Sequence, residues 1–173
     1  MSLKDKKVLT LIDETFEDLE LLYPILRLRE EGTTVDVAGS KADKTYKGKN
    51  GYPADSDISF SDVNPEDYDA LLIPGGFAPD KLRRYPEVLK FVQHFDREKK
   101  VIGHICHAGW VLASADVLKG VKVTSTPAIK DDLTNAGADW VNQEVVVDGH
   151  IISSRKPDDL PAYMIAIIEA LKE

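Results

Sequence analysis

One short segment of the sequence holds the residues best suited to nucleophilic chemistry. Cys106, the only cysteine of the chain, is followed directly by His107. The apolar run Val101–Ile105 predicts a buried strand and Ala108–Leu118 a helix, so the cysteine would stand on the strand–turn–helix elbow that lifts a nucleophile above a sheet edge. Free amides and the positive end of a helix favour a thiolate there, and an imidazole can serve as its base or ion-pair partner. The segment alone leaves a buried structural cysteine open as the alternative.

A pair of glycines is predicted to reach the same edge. Gly75 and Gly76 follow the buried run Ala70–Ile73 and the residue Pro74. In open α/β sheets, ligands bind at the carboxyl ends of the strands. Backbone amides of two glycines can approach a ligand closely and form part of an oxyanion hole. For the glycine pair by itself, an ordinary strand-to-helix turn is the favoured interpretation.

Acidic residues mark the point where the first strand meets the first helix. Glu14, Glu17 and Asp18 all lie there. Acids at a helix N-terminus stabilise any helix, and this explanation is preferred for Glu14 and Asp18. Glu17 beside a thiol would be partly desolvated, which raises the pKa of a carboxyl group and can keep a proton on it.

Cofactor signatures are missing from the sequence. Neither a Walker A loop nor a Gly-x-Gly-x-x-Gly segment occurs after the first strand, which disfavours nucleotides and dinucleotides. His104, Cys106 and His107 supply too few ligands of fixed geometry for a zinc site. We therefore expect no metal and no cofactor.

Strands and helices alternate along the chain. The predicted strands are Val8–Ile12, Thr33–Ala38, Ala70–Ile73, Val101–Ile105, Val121–Thr124, Val145–Val147 and Ile151–Ser153. The predicted helices are Glu17–Glu31, Pro86–Glu98, Ala108–Leu118, Ile129–Ala136 and one beginning near Pro157. This order predicts a mainly parallel sheet with helices on both faces, a three-layer α/β/α sandwich formed by a single domain over residues 1–173. Asp148-Gly149 predicts a small antiparallel hairpin beside the sheet, and Lys41–Asp57 a loop or surface hairpin.

Composition limits the possible partners and the compartment. The chain has 173 residues and a net charge of −8, which disfavours nucleic acid and an anionic membrane surface. A lone cysteine excludes an internal disulfide framework. The N-terminal apolar stretch is too short for a signal peptide. We therefore expect a cytoplasmic protein with a reduced thiol.

Several motifs, in order over essentially the whole chain, resemble the ThiJ/PfpI family, and within it the PfpI-type intracellular proteases. They are Phe16-Glu17-Asp18, Ala70–Gly76, Ile105-Cys106-His107, Lys130-Asp131-Asp132, Asn135–Ala138, Glu144–Gly149 and Ser153-Ser154-Arg155. The resemblance implies a flavodoxin-like sandwich of the class I glutamine-amidotransferase-like superfamily. It also implies that Cys106 is the nucleophile.

The resemblance assigns roles to further residues. Glu17 would be the protonated acid that hydrogen-bonds the thiolate, and the amides of Gly75, Gly76 and His107 would form the oxyanion hole. In PfpI-type members an acidic residue of a neighbouring subunit orients the histidine, and the matching position here is Asp80. Trp110 would line the substrate pocket, and the pocket floor near it would be altered where Ala108-Gly109 replaces the Gly-Pro common in the family. A site completed across an interface implies a homodimer, perhaps stacked into a hexamer.

The chemistry implied by the resemblance begins with a low-pKa thiolate that attacks an electrophilic carbon. A small dicarbonyl or a glycation adduct needs only a shallow cavity, so glyoxalase- or deglycase-like chemistry is preferred over an intracellular peptidase. A glutaminase is disfavoured, because no His-x-Glu pair follows His107. A non-enzymatic alternative is a redox-responsive stress protein, since an accessible low-pKa cysteine oxidises readily.

Overall fold

Eleven strands and six helices make up the regular structure of residues 3–173, the part of the chain that this computed structural model describes. Met1 and Ser2, which begin the N-terminal segment discussed above, lie outside the described residues. The strands are β1 (Lys7–Leu11), β2 (Thr34–Gly39), β3 (Thr45–Lys47), β4 (Pro53–Asp55), β5 (Ile58–Ser59), β6 (Ala70–Ile73), β7 (Val101–Ile105), β8 (Lys122–Val123), β9 (Asp139–Trp140), β10 (Val145–Asp148) and β11 (Ile151–Ser154). The helices are α1 (Asp18–Glu30), α2 (Ala78–Leu82), α3 (Pro86–Arg97), α4 (Gly109–Ser114), α5 (Lys130–Asn135) and α6 (Leu160–Lys172).

Seven of the described strands form the central sheet, in the order β10-β11-β7-β6-β1-β2-β5. All neighbours are parallel except β10 and β11. Strands β1, β6 and β7 are buried on both faces apart from Lys7 at the start of β1, as expected of strands covered by helices on each side. The prediction of a mainly parallel, flavodoxin-like three-layer sandwich is confirmed.

Helices cover the sheet on both faces. On one face α1 packs against α6, whose inward residues are Leu160, Met164, Ile167, Ile168 and Leu171. On the other face α3 packs on β6 and β7 and contacts α4, which in turn contacts α2 and α5. The helix α1 runs without a break through Pro24, which is buried inside it.

The structure corrects several details of the predicted elements. The predicted hairpin is part of the main sheet rather than an appendix, because β11 pairs with β7 as well as with β10. The predicted strand Val121–Thr124 contains β8, which pairs with β9 outside the main sheet. The helix predicted over Ala108–Leu118 is much shorter, since α4 ends at Ser114. The polar Lys41–Asp57 segment holds the surface hairpin formed by β3 and β4.

No helix in the described part of the chain is both long and apolar enough to span a membrane.

Candidate active site

Cys106 stands on a sharp turn at the end of β7. The buried strand ends at Ile105, a single 3-10 turn covers Cys106–Ala108, and α4 begins at Gly109. Cys106 has a φ of 60°, a left-handed conformation that a residue with a side chain adopts only at a cost of order 1–3 kcal/mol. The strained turn raises the thiol above the sheet edge, where it is partly exposed. The predicted nucleophile elbow is therefore present.

The structure brings His107 and Trp110 to the thiol. Nδ1 of His107 lies 3.2 Å from Sγ of Cys106, although neighbouring side chains usually diverge. The indole ring of Trp110 meets the imidazole edge-on at 5.1 Å and donates from Nε1 to Asp132 at 2.8 Å. Burial lowers the pKa of His107, and the charge of Lys49 lowers it further. The imidazole is thus neutral at pH 7 and can accept the proton of the thiol.

Gly76 allows the backbone of the first loop to approach the nucleophile. Its φ is 76°, and an added Cβ would lie 2.5 Å from the carbonyl oxygen of Thr15 and 2.7 Å from the carbonyl carbon of Phe16. Phe16 pairs with Gly76 as an isolated bridge. In this position the amides of Gly76 and His107 both point at Sγ of Cys106. These two amides stabilise a thiolate, and their role in an oxyanion hole stays a prediction.

The amide of Gly75 does not take the oxyanion-hole role predicted for it. Its N–H donates to Oε2 of Glu20 at 2.8 Å, so it is not available for an oxyanion. An added Cβ at Gly75 would press against that oxygen and lie 3.2 Å from Sγ of Cys106. Gly75 therefore brings a carboxyl group close to the thiol.

That carboxyl group belongs to Glu20, and the prediction that Glu17 contacts the thiol is wrong. Glu17 is the N-cap of α1, and its Oε2 accepts from the N–H of Glu20 at 3.0 Å. Its other oxygen faces Nδ2 of Asn50 at 3.5 Å. The physical reason is the helix start: a side chain that caps the first turn points back at the backbone, while the side chain three residues later points at the sheet edge.

Glu20 is poised to carry a proton at neutral pH. Burial raises its pKa to about 8, and the negative charge of Glu17 contributes to the rise. Its Oε1 is fully buried and has no hydrogen-bond partner in residues 3–173, which is costly for a charged oxygen. A proton on this carboxyl group removes that cost and leaves an O–H beside Cys106.

Groups around Cys106 shift the pKa of its thiol in opposite directions. Burial raises the pKa of Cys106, and an ionised Glu20 raises it further, whereas the amides of Gly76 and His107 and the charge of Lys49 oppose the rise. The expected stabilisation by a helix N-terminus is not what the structure shows, because α4 starts only at Gly109. Because burial is the largest of these effects, the pKa of Cys106 is raised overall and the resting side chain is a thiol, which corrects the low-pKa thiolate that the resemblance implies. A neutral Glu20 removes only the second cause of the rise.

Asp80 and the remaining acids lie farther from the thiol. Asp80 is partly exposed on α2 and forms an ion pair with Arg84. Asp18 is buried and accepts hydrogen bonds from the amides of Asn50 and Tyr52. Burial acts to raise the pKa of Asp18, but these hydrogen bonds outweigh it and lower the pKa. Its role is to hold the hairpin, beyond the helix-stabilising role expected of it.

The places that Glu20, Lys49 and His104 take in the site region were not predicted from the sequence. Glu20 could have been found from the capping pattern, since an acid at the cap is followed three residues later by a second acid. Lys49 belongs to a surface hairpin whose position depends on long-range contacts. His104 is fully buried beneath the elbow, and neither ring nitrogen has a partner among the described residues. Burial lowers the pKa of His104 to about 4, so it is neutral at pH 7.

Comparison with known proteins identifies a family and relatives over almost the whole chain. The sequence profile of the DJ-1/PfpI family matches residues 6–170. A deglycase of Pyrococcus abyssi is 46% identical over 166 residues, which cover 96% of this chain and 99% of the relative. A candidate cysteine protease of Bacillus subtilis is 41% identical over 167 residues, covering 96% of this chain and 99% of the relative.

A solved structure gives the same result for the fold. A two-domain protein of Anabaena variabilis, with a DJ-1/ThiJ/PfpI-like and a ferritin-like domain, superimposes with a TM-score of 0.95 at 40% identity. The match covers 96% of this chain and 48% of that one. Together, the flavodoxin-like sandwich and the cysteine elbow define a class of α/β proteins with a thiol at the sheet edge. Within that class, the chain belongs to the DJ-1/PfpI family.

Proposed function

We propose that this protein is an enzyme that uses Cys106 as a nucleophile on the carbonyl carbon of a small substrate, either an α-ketoaldehyde or an early glycation adduct. The observation that carries the proposal is the convergence on one thiol of a histidine nitrogen at 3.2 Å, two backbone amides and the carboxyl group of Glu20. The name deglycase of the Pyrococcus abyssi relative supports the substrate class.

Cys106 and His107 would start the reaction. The thiol gives its proton to Nδ1 of His107, and the thiolate attacks the aldehyde carbon of the substrate. The new oxyanion is stabilised by the amides of Gly76 and His107 and receives the proton back from the imidazolium. The product is a neutral hemithioacetal.

When the substrate is an α-ketoaldehyde, Glu20 and His107 would then transfer the protons that convert this hemithioacetal into a thioester. His107 removes the hydrogen of the thiol-bearing carbon as a proton, while Glu20 gives its proton to the neighbouring carbonyl oxygen. The resulting enediol returns one hydroxyl proton to Glu20 and takes a proton on the second carbon from His107. This gives a thioester on Cys106, and water hydrolyses it to a hydroxy acid and the free thiol. Methylglyoxal plus water thus becomes lactate, with no net change in the enzyme.

A glycation adduct requires the same groups for a different purpose. In such an adduct the aldehyde carbon already bears the nitrogen or sulfur of another molecule. Attack by Cys106 displaces that atom, and the acid that protonates it as it leaves is Glu20. The imidazolium of His107 then passes its proton to the carboxylate of Glu20, which restores the base and the acid. The same rearrangement and hydrolysis follow, so one site serves both substrates. The chemistry needs a reduced thiol, which supports our inference of a cytoplasmic protein.

The test is steady-state consumption of methylglyoxal without glutathione, with lactate quantified. Wild type should form lactate, and Cys106→Ser should form none above the uncatalysed background. Glu17→Gln is the matched acid control, because it removes a carboxylate of the same helix turn that does not contact the thiol; it should keep most of the activity. Absence of lactate from wild type would refute the glyoxalase reaction, and mass spectrometry of Cys106 after mild peroxide would then test the redox alternative.

A second candidate is peptide hydrolysis, which the name of the Bacillus subtilis relative favours. The elbow and two amides suit an acyl-enzyme as well as a thioester. Hydrolysis of short fluorogenic peptides by wild type, absent in Cys106→Ser, would support it. If dicarbonyl turnover exceeds peptide turnover in kcat/KM by orders of magnitude, peptidase activity is secondary.

We also propose that a second copy of the chain completes the site. Nε2 of His107 forms no hydrogen bond within residues 3–173, so it is free to accept a partner. Asp80 is partly exposed, and among residues 3–173 its carboxylate pairs with Arg84 of the same helix region. An Asp80 from a neighbouring subunit would fix the tautomer of His107, as carboxylates do for catalytic histidines.

A further inference from the structure

Lys49 stands beside the site although it is distant in sequence from its other residues. It lies in the turn of the β3–β4 hairpin, and its N–H donates to the carbonyl oxygen of Phe16 at 2.8 Å. Phe16 pairs on its other side with Gly76, whose amide faces Cys106. Neighbouring extended segments are about 5 Å apart. Lys49 is thus two segments from Gly76, a separation that the flexible four-carbon stem of a lysine can largely bridge.

The charge of Lys49 acts on the three titratable groups around the thiol, namely Glu20, Cys106 and His107. It opposes the rise in the pKa of both Glu20 and Cys106. It also contributes to the lowered pKa of His107. These effects agree with the position that the backbone contacts give Lys49, beside the loop that pairs with Gly76.

The hairpin that carries this lysine is fixed by acids from the first loop and helix. Asp18 accepts from the N–H of Asn50 and of Tyr52, each at 3.0 Å. Glu14 accepts from the N–H of Lys47 at 3.0 Å. These carboxylates are therefore engaged with backbone donors, and the hairpin is held against the sheet edge.

The ammonium group of Lys49 forms no ion pair within the described part of the chain. Lys49 is exposed, and among residues 3–173 no carboxylate lies within ion-pair distance of its Nζ. A cation held near a nucleophile without a counter-charge attracts anions and raises their local concentration. Nothing in the reaction proposed above uses this charge.

We propose that Lys49 makes the site selective for carbonyl substrates that carry a negative charge close to the reacting carbon, such as α-ketoaldehydes with a terminal carboxylate. The inference rests on the proposed function and adds a substrate class to it. The carboxylate would approach the ammonium group while the aldehyde carbon meets Sγ of Cys106. Lys49 would then be a specificity-determining residue that lowers KM for anionic substrates.

Alkylation of Cys106 tests the role of Lys49 without any turnover. Iodoacetate and iodoacetamide have similar size and differ in charge, and their rate ratio cancels changes in the thiolate fraction. Lys49→Gln should lower the iodoacetate-to-iodoacetamide ratio about five- to tenfold, as expected for one charge at a few ångströms in a partly solvated site. In wild type the ratio should also fall in about 1 M salt, where the screening length is roughly 3 Å.

Lys47→Gln is the matched control, since it removes the same charge from the same hairpin. The side chain of Lys47 extends along Gly51 toward the hairpin tip, with Cε 3.7 Å from where a Cβ of Gly51 would be. It should leave the alkylation ratio within about twofold of wild type. An unchanged ratio in Lys49→Gln, or an equal fall in both variants, would overturn the proposal.

Turnover of two matched substrates then tests the substrate class. The carboxylate 4,5-dioxopentanoate and the neutral 2-oxopentanal share chain length and reacting group. Wild type should prefer the carboxylate in kcat/KM, chiefly through KM, and Lys49→Gln should lose that preference; equal values in wild type would overturn the proposed class. If neither compound is converted, the proposed function fails, whereas the alkylation ratio still decides whether Lys49 draws anions to the thiol.

Discussion

Glu20→Gln should change how the stability of this protein depends on pH. The carboxyl group has its pKa raised by burial from 4.5 to about 8. Between these values the unfolded chain has lost the proton and the native protein still holds it. The native state then binds more protons, so the free energy of unfolding falls as pH rises. The contribution of Glu20 is complete below about pH 4.5 and is lost once the pH passes about 8.

The size of the effect follows from that rise in pKa. At about 1.4 kcal/mol per pH unit, the rise corresponds to a loss of roughly 5 kcal/mol between pH 4.5 and 8. Glutamine keeps the shape of the side chain and an oxygen for the N–H of Gly75 but does not titrate. Relative to wild type, the variant should therefore gain several kcal/mol in free energy of unfolding as the pH is raised from 5 to 9.

Urea denaturation of both proteins at each pH unit from 5 to 9 measures this difference. Glu17→Gln is the control, because it removes an acid of the same helix turn but leaves the buried carboxyl of Glu20. Removing the charge of Glu17 should lower the pKa of Glu20 and reduce the pH-dependent loss only in part. Parallel stability curves for wild type and Glu20→Gln would refute a protonated Glu20.

Three further perturbations test other parts of the site. Gly76→Ala should lower the free energy of unfolding by about 2–4 kcal/mol and abolish turnover, because a Cβ at φ 76° would lie 2.4–2.7 Å from the loop backbone. A stable, active variant would contradict this geometry. Mixing inactive Cys106→Ser and Asp80→Asn proteins should restore activity at about a quarter of the sites if a partner supplies the aspartate; no recovery after verified subunit exchange would exclude that role. Burial lowers the pKa of His104 to about 4, so between pH 6.5 and 4 this histidine is protonated only in the unfolded chain, and wild type loses stability as the pH falls. His104→Leu should reduce that loss by about 3 kcal/mol in a denaturation experiment. Equal acid sensitivity of the two proteins would refute a buried neutral His104.

The sheet could be predicted because its strands carry a simple signal. The runs that became β1, β6 and β7 are mainly apolar, with Thr10 and His104 as buried polar exceptions, and each is followed by a turn or a helix signal. Strand β5 has only two residues and is defined by pairing with β2, which no local pattern reveals. The helix α2 follows the glycine turn and has only five residues, so its periodicity is too short to detect.

The sequence is sufficient to predict which segments form the site but not which of their side chains are in contact. The elbow at Cys106 and the glycine turn follow from chain order, because carboxyl ends of parallel strands share an edge. Choosing between Glu17 and Glu20 requires the helix start to within one residue, and helix ends are the least certain feature of a sequence. The role of Gly75 could not be predicted either, because its N–H donates to Glu20. Lys49 reaches the site only because Asp18 and Phe16 hold a distant hairpin in place.

The position of hydrogen in the product tests the central claim most directly, namely that Cys106, His107 and Glu20 convert a ketoaldehyde through an enediol. Wild-type protein is incubated with methylglyoxal in deuterium oxide, and the lactate is examined by proton NMR. Because the imidazolium of His107 exchanges with solvent, the account predicts deuterium on the second carbon and a methyl signal without splitting by that position. Lactate that retains hydrogen there would show a direct hydride shift, and would contradict the proton transfers assigned to His107 and Glu20.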